Sequence, residues 1–150
     1  MRILFVCLGN ICRSPLAEGI MRNKVNQKKI DWIVDSAGTA SWHTGNKPDA
    51  RSVEVADQHG IDISLQKARQ FHPSDFQNFD LIYAMDSENY LDIKAMASGY
   101  EEIQKIGLIL NNLYPGENRS VPDPYYNNKF EQVFQLLDQA CDEIILAHSK

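Results

Sequence analysis

The sequence has 150 residues, 43% hydrophobic and 23% charged, enough for a single domain spanning 1–150 that buries about two-thirds of its unfolded surface. A net charge of −5, with no basic run beyond Lys28-Lys29, argues against nucleic acid or an anionic membrane as partner. Cys7, Cys12 and Cys141 are an odd set that suits a reducing compartment better than a disulfide framework, so the expected location is cytoplasmic.

Residues 3–6 are a compact apolar run of strand formers and read as a buried strand, not as a signal peptide. Ser14-Pro15 then opens a helix, with Ser14 at the N-cap and Pro15 at the first position. Leu16, Ala17, Ile20 and Met21 give that helix an apolar face. Residues 31–35 read as a second strand and 36–47 as a loop. A helix over 48–59 stops at Gly60. Residues 81–84 form a third strand, and Asp86 caps a helix over 87–96. A fourth strand covers 106–110. A proline-bearing loop follows, then a last helix over 129–147. Strands that alternate with helices predict an α/β, three-layer fold: a four-stranded parallel sheet flanked by helices, in flavodoxin-like or Rossmann-like order. No stretch approaches the ~18 apolar residues of a membrane span.

In such sheets ligands bind beyond the carboxyl ends of the strands, and the first strand ends at Cys7. There the sequence reads Cys7-Leu8-Gly9-Asn10-Ile11-Cys12-Arg13-Ser14. A strand-to-helix loop turns backbone N–H groups inward, and the helix dipole behind it favours an anion such as phosphate. Gly9 and Asn10 tolerate left-handed backbone. Arg13 adds a planar fork for two oxygens. The same positive potential favours a thiolate at Cys7, the nucleophilic form. Taken singly, these residues are a buried cysteine, a turn, a surface arginine and a helix cap; their order at one junction is what points to chemistry. The loop lacks the Gly-Lys-Ser/Thr ending of a nucleotide site.

Cys7 to Ser14 fits the Cys-x5-Arg-Ser/Thr signature of protein tyrosine phosphatases. Its N-terminal placement resembles the low-molecular-weight protein tyrosine phosphatase family. Segments 35–39, 45–49, 68–70 and 85–86 and Asp123-Pro124-Tyr125-Tyr126 extend the resemblance along nearly the whole chain. The resemblance implies hydrolysis of phosphotyrosine through a phosphocysteine on Cys7. It also implies that Asp123 is general acid and then base, and that the partner is a phosphotyrosine protein or peptide. By the residues themselves, Asp123 is the best-placed acid, since its loop follows the fourth strand at the same end of the sheet as Cys7 and is stiffened by two prolines. Asn10, Ser14 and Ser36 are expected to support the loop. Ile11, Trp42, Tyr125 and Tyr126 are expected to wall a slot for an aromatic ester. In phosphoarginine-specific members a Thr takes the place of Ile11, so Ile11 leans towards phosphotyrosine. The resemblance also implies a reversible Cys7–Cys12 disulfide, and pocket-lining by both tyrosines. One departure stands out: Gln66 occupies a neighbourhood where many relatives carry His. No cofactor is called for, and the histidines show no metal-ligand spacing.

Three other activities fit parts of the pattern. An arsenate reductase needs two further relay cysteines, and only Cys141 remains. A phosphocysteine carrier has no need of Asp123. A phosphopeptide-binding module has no need of Cys7.

Overall fold

A computed structural model describes residues 1–149. Four parallel strands, β1 (Arg2–Cys7), β2 (Ile33–Gly38), β3 (Leu81–Ala84) and β4 (Ile106–Leu108), lie in the order β2-β1-β3-β4. The helices are α1 (Arg13–Gln27), α2 (Ala50–Gln58), α3 (Asp75–Asn78), α4 (Ser87–Met96), α5 (Tyr100–Gln104), α6 (Pro124–Asn127) and α7 (Phe130–His148). One 3-10 turn covers Ile109–Asn112. The α/β expectation and the flavodoxin-like order both hold.

Strand β1 explains why the layers form. Its side chains alternate between two apolar clusters: Ile3, Phe5 and Cys7 on one face, Leu4 and Val6 on the other. Both faces are covered, so every residue of the strand after the exposed Arg2 is apolar, as a central parallel strand requires. The first cluster is closed by α1 and α7, whose residues Val133, Leu137, Ala140 and Ile144 recur at helical spacing. Lys24 joins the two helices at their edge through Asp138 and Asp142 at 2.9 and 2.8 Å. The second cluster takes Phe76 of α3 and Ile93 of α4.

The chain winds from β1 to β2 in one direction and to β3 in the other. The ends of β1 and β3 therefore diverge into a crevice, the place where such sheets bind ligands.

The boundaries shift in informative places. Strand β2 runs later than the expected 31–35, because Ser36, Ala37 and Gly38 pair with Phe5, Val6 and Cys7. Small and polar residues are poor strand formers, and here the sheet overrides propensity. The expected helix over 48–59 begins at Ala50 behind Asp49, which accepts from Arg51 N at 2.9 Å. The fourth strand ends at Leu108 and tightens into the 3-10 turn. Helix α6 interrupts the expected proline-bearing loop, and α3 and α5 fall in stretches to which no element was assigned; each is one turn or little more. Ser14 and Pro15 lie inside α1, not at its start. Cys12 takes the cap position and makes no side-chain cap bond there.

Candidate active site

The loop after β1 owes its shape to its carbonyls. Thr39 N donates to Cys7 O and Ala40 N to Leu8 O, both at 2.9 Å, and Asp49 N donates to Ile11 O at 2.8 Å. Ser52 Oγ donates to Cys12 O at 3.4 Å. In a trans peptide the carbonyl and the following N–H point opposite ways. Tying these four carbonyls outward turns the N–H groups of Leu8, Gly9, Cys12 and Arg13 inward. Asn10 makes the turn with φ 58°, a left-handed conformation that Asn tolerates better than most residues. The N-terminus of the fifteen-residue α1 faces the same space. The lack of a side-chain cap is consistent with that use: a capping hydroxyl would occupy an N–H group that the anion needs.

Gly38 is what lets β2 lie this close. A Cβ there would sit 2.7 Å from Leu8 O and 3.1 Å from Asn10 N. Both are backbone atoms that cannot swing aside. Gly38→Ala is expected to displace the loop and cost about 1–3 kcal/mol. For a chain of this size that is a melting-temperature drop of several degrees. Inorganic phosphate should bind at least about tenfold more weakly, because the cradle N–H groups move with the loop. Calorimetry on the variant, with and without phosphate, checks both; an unchanged phosphate affinity would show that the close approach does not set the loop.

Cys7 is 3% exposed at the loop's base. Its Sγ receives Asn10 N at 3.3 Å and lies 3.0 Å from Ser14 Oγ. Behind it runs a buried chain of polar groups. Asn10 Nδ2 donates to Ser14 Oγ at 2.8 Å and to Ser36 Oγ at 3.0 Å. Ser36 Oγ donates to Glu18 Oε1 at 2.6 Å. Asn10 Oδ1 accepts from Arg69 N at 3.0 Å, which fixes which way the amide points. With both amide hydrogens committed, the Ser14 hydroxyl proton has two acceptors in reach, Cys7 Sγ at 3.0 Å and Ala37 O at 3.4 Å. Burial pushes the Glu18 carboxyl above the usual range, against the Ser36 hydrogen bond and Arg22, which pull it down.

Arg13 is almost fully buried and gripped from one side. Nη1 donates to Asp86 Oδ2 at 2.7 Å and to Val121 O at 3.0 Å. Asp86 does double duty, since its Oδ1 caps α4 at Asn89 N. The other nitrogen, Nη2, lies 3.6 Å from Asp123 Oδ2. Burial pulls the Arg13 pKa down, but Cys7, Asp86 and Asp123 outweigh it and leave it raised. Asp123 is the N-cap of α6, accepting from Tyr125 N at 3.1 Å, with Pro124 at the first helical position.

These groups meet in a cleft of about 240 Å³. Its floor is Cys7, Leu8, Gly9, Ile11, Cys12 and Arg13, and its walls are Trp42, His43, Asp123, Tyr125 and Tyr126. Every wall residue expected from the sequence is there. Asn10 and Ser14 do not line it; their side chains sit behind the loop with Ser36. Cys12 is buried, and burial, Asp49, Cys7 and Asp123 raise its thiol to about 12, so it is a neutral thiol. The three cysteines are unpaired, and Cys141 is a fully buried residue of α7. Among the described residues no three His, Cys, Asp or Glu side chains converge as metal ligands.

Sequence reasoning missed His43, Glu18 and the second role of Asp86. His43 packs on the loop: a Cβ at Gly9 would meet its Cδ2 at 3.0 Å. Glu18 carried a signal, since it is an acid four residues after Ser14 on the helix's apolar face. Gln66, the departure noted above, donates to Pro15 O at 3.1 Å, while its Oε1 is buried without a partner.

The family model described as low molecular weight phosphotyrosine protein phosphatase matches residues 2–149. The low molecular weight phosphotyrosine protein phosphatase of Homo sapiens is 39% identical over 143 residues, covering 93% of this chain and 90% of that protein. The low molecular weight protein-tyrosine-phosphatase YfkJ of Bacillus subtilis is 39% identical over 150 residues, covering 99% and 96%. Its crystal structure matches with a TM-score of 0.92 over 100% of this chain and 97% of that one. A crystal structure described as a Drosophila arginine phosphatase matches equally well, with a TM-score of 0.92 at 33% identity over 100% and 99%.

Proposed function

The chain belongs to the low molecular weight phosphotyrosine protein phosphatases, and we propose that it hydrolyses phosphotyrosine on proteins through Cys7, Arg13 and Asp123. The observation that carries the assignment is convergence on one sulfur. Asn10 N–H and Ser14 Oγ address Cys7 Sγ from behind, while Arg13 and Asp123 face it across the cleft.

In the first step the Cys7 thiolate attacks phosphorus. The S–P bond forms as the bond to the phenolic oxygen breaks, and Asp123 gives that oxygen its proton. Inward N–H groups and the Arg13 fork hold the three remaining oxygens as charge spreads over them. In the second step Asp123, now a carboxylate, takes a proton from water as the water attacks the phosphocysteine. The S–P bond breaks, phosphate leaves, and the Ser14 proton steadies the departing thiolate. Asp123 stands 3.6 Å from Arg13, where it can reach both the ester oxygen and a water replacing it.

The walls support an aryl ester. Ile11, Trp42 and Tyr125 offer flat or apolar surface to a ring. A phosphoguanidinium also stacks well, but it brings N–H donors that need an acceptor beside the phosphate. Ile11 supplies none. Three unpaired cysteines support a cytoplasmic location, and a net charge of −5 supports a protein substrate over nucleic acid. Among the described residues no helix is long and apolar enough to cross a membrane.

Phosphate release with chelator present separates the substrates. A phosphotyrosine peptide is expected to exceed phosphoarginine in kcat/KM by roughly tenfold to a hundredfold. Preference for phosphoarginine would overturn the substrate assignment, and dependence on added metal would overturn the mechanism.

A further inference from the structure

Helix α2 begins beside the phosphate-binding loop, and its second residue reaches the segment that carries Asp123. Arg51 folds back on Asp49: Nε donates to Oδ1 at 3.0 Å and Nη2 to Oδ2 at 2.9 Å. Its remaining edge crosses to residues more than seventy positions away. Nη1 donates to Asn128 Oδ1 at 2.5 Å and to Tyr125 O at 3.4 Å. The guanidinium carbon lies over the Phe130 ring, 4.7 Å from its centroid, and over the Tyr125 ring at 5.3 Å. Asp49, in turn, donates its backbone N–H to Ile11 O at 2.8 Å. One residue pair thus touches both halves of the site, the loop at Ile11 and the acid segment at 125–130.

The bland alternative is a surface ion pair within the first turn of α2, worth little. Arg51 is 39% exposed, which favours that view. Two features oppose it. An ion pair with Asp49 needs only one edge of the fork, yet the other edge is spent on Asn128 and Tyr125. And the acid segment needs an external hold. Helix α6 has four residues, too few to be stable alone. It ends at Asn128 in a left-handed conformation, φ 59°, and Tyr125 and Tyr126 are exposed.

We infer that Arg51 is a positioning residue: with Asp49 it latches the 123–128 segment to the phosphate-binding loop and so sets the reach of the Asp123 carboxyl into the cleft. The inference rests on Asp123 being the general acid. Arg51 touches neither phosphate nor sulfur, so its loss should impair proton delivery while leaving anion binding alone.

Two substrates separate these effects. A phosphotyrosine peptide expels a basic phenolate that needs the proton; nitrophenyl phosphate expels nitrophenolate, which leaves with little help. Arg51→Met keeps the stem's apolar cover and removes the fork. Its kcat/KM should fall about tenfold or more on the peptide and far less on nitrophenyl phosphate, with inhibition by inorganic phosphate unchanged. Asn128→Gly retains the left-handed backbone but deletes the acceptor, and should show the same split with a smaller loss; it carries the test if Arg51→Met melts early. Arg51→Lys keeps charge but not the two-edged geometry and should not restore the peptide rate. Added to Asp123→Ala, Arg51→Met should cost nothing further, because there is no acid left to place. Equal losses on both substrates, or additivity in the double variant, would overturn the latch while leaving Asp123 as the acid. If Asp123→Ala alone fails to discriminate between the substrates, the acid assignment falls and the latch with it.

Discussion

Cys7→Ser should leave a folded protein that binds phosphate and turns over almost nothing. The expected loss in kcat/KM on a phosphotyrosine peptide is about 10⁴-fold or more, or roughly 5 kcal/mol of transition-state stabilisation. The reason is the atom itself. Asn10 N–H at 3.3 Å and Ser14 Oγ at 3.0 Å steady negative charge on a large, polarisable sulfur. A hydroxyl in the same place stays protonated, and its proton has no base to go to, since the neighbours of Cys7 are donors. The fold should survive, because Ser is no larger than Cys and the carbonyls that shape the loop are bonded through backbone contacts. Inorganic phosphate should still protect the variant against heat, since the inward N–H groups and Arg13 remain. Acid quenching during turnover should trap phosphate on wild-type protein and none on the variant. Wild-type turnover in Cys7→Ser would sink the covalent mechanism.

Which parts were legible in the sequence follows from where their information lies. Strand β3 and helix α4 could be read to the residue. Their signals are local: a four-residue apolar run, then Asp86 placed to cap at Asn89. The loop from Cys7 was legible because its chemistry and its backbone demands coincide in eight consecutive residues. Ser36 to Gly38 were not read as strand, since nothing about a serine or a glycine declares that it will pair with Phe5 and Cys7. Gly38 is required by Leu8 O, thirty residues earlier, and that constraint exists only in three dimensions. Ser14 was read as a cap, because Ser-Pro is a helix-start pattern, and as support for the loop; the structure moves it to the second residue of α1, where its Oγ lies 3.0 Å from Cys7 Sγ. Arg51 stands in no motif. Its partners Tyr125, Asn128 and Phe130 become neighbours only in the folded chain.

The same distinction bears on Cys12. The resemblance implied a reversible bond with Cys7, and the two do share one loop. Yet burial, Asp49, Cys7 and Asp123 hold the Cys12 thiol at about 12. Attack on an oxidised Cys7 requires the Cys12 thiolate, which is scarce at neutral pH. Part of that rise comes from Cys7 and falls away once an oxidised Cys7 carries no thiolate charge.

Asp123→Ala separates the two chemical steps, because one carboxyl serves both. On a phosphotyrosine peptide the variant should lose about 10²–10⁴-fold in kcat/KM, the usual worth of a general acid. Nitrophenyl phosphate behaves differently. Its leaving group needs little protonation, so the first step stays fast, while water has lost its base and the second step does not. Stopped-flow mixing should therefore show a burst of nitrophenolate approaching one equivalent per enzyme, then a slow steady rate set by hydrolysis of the phosphocysteine. The charge balance points the same way: removing Asp123 takes a carboxylate from 3.6 Å beside Arg13 and frees Nη2 for the bound phosphoryl group. The intermediate should gain from that release, which lengthens its life and enlarges the burst. A variant that loses equally on both substrates and shows no burst would move the acid elsewhere, and no other carboxyl among the cleft-lining residues is available to take the role.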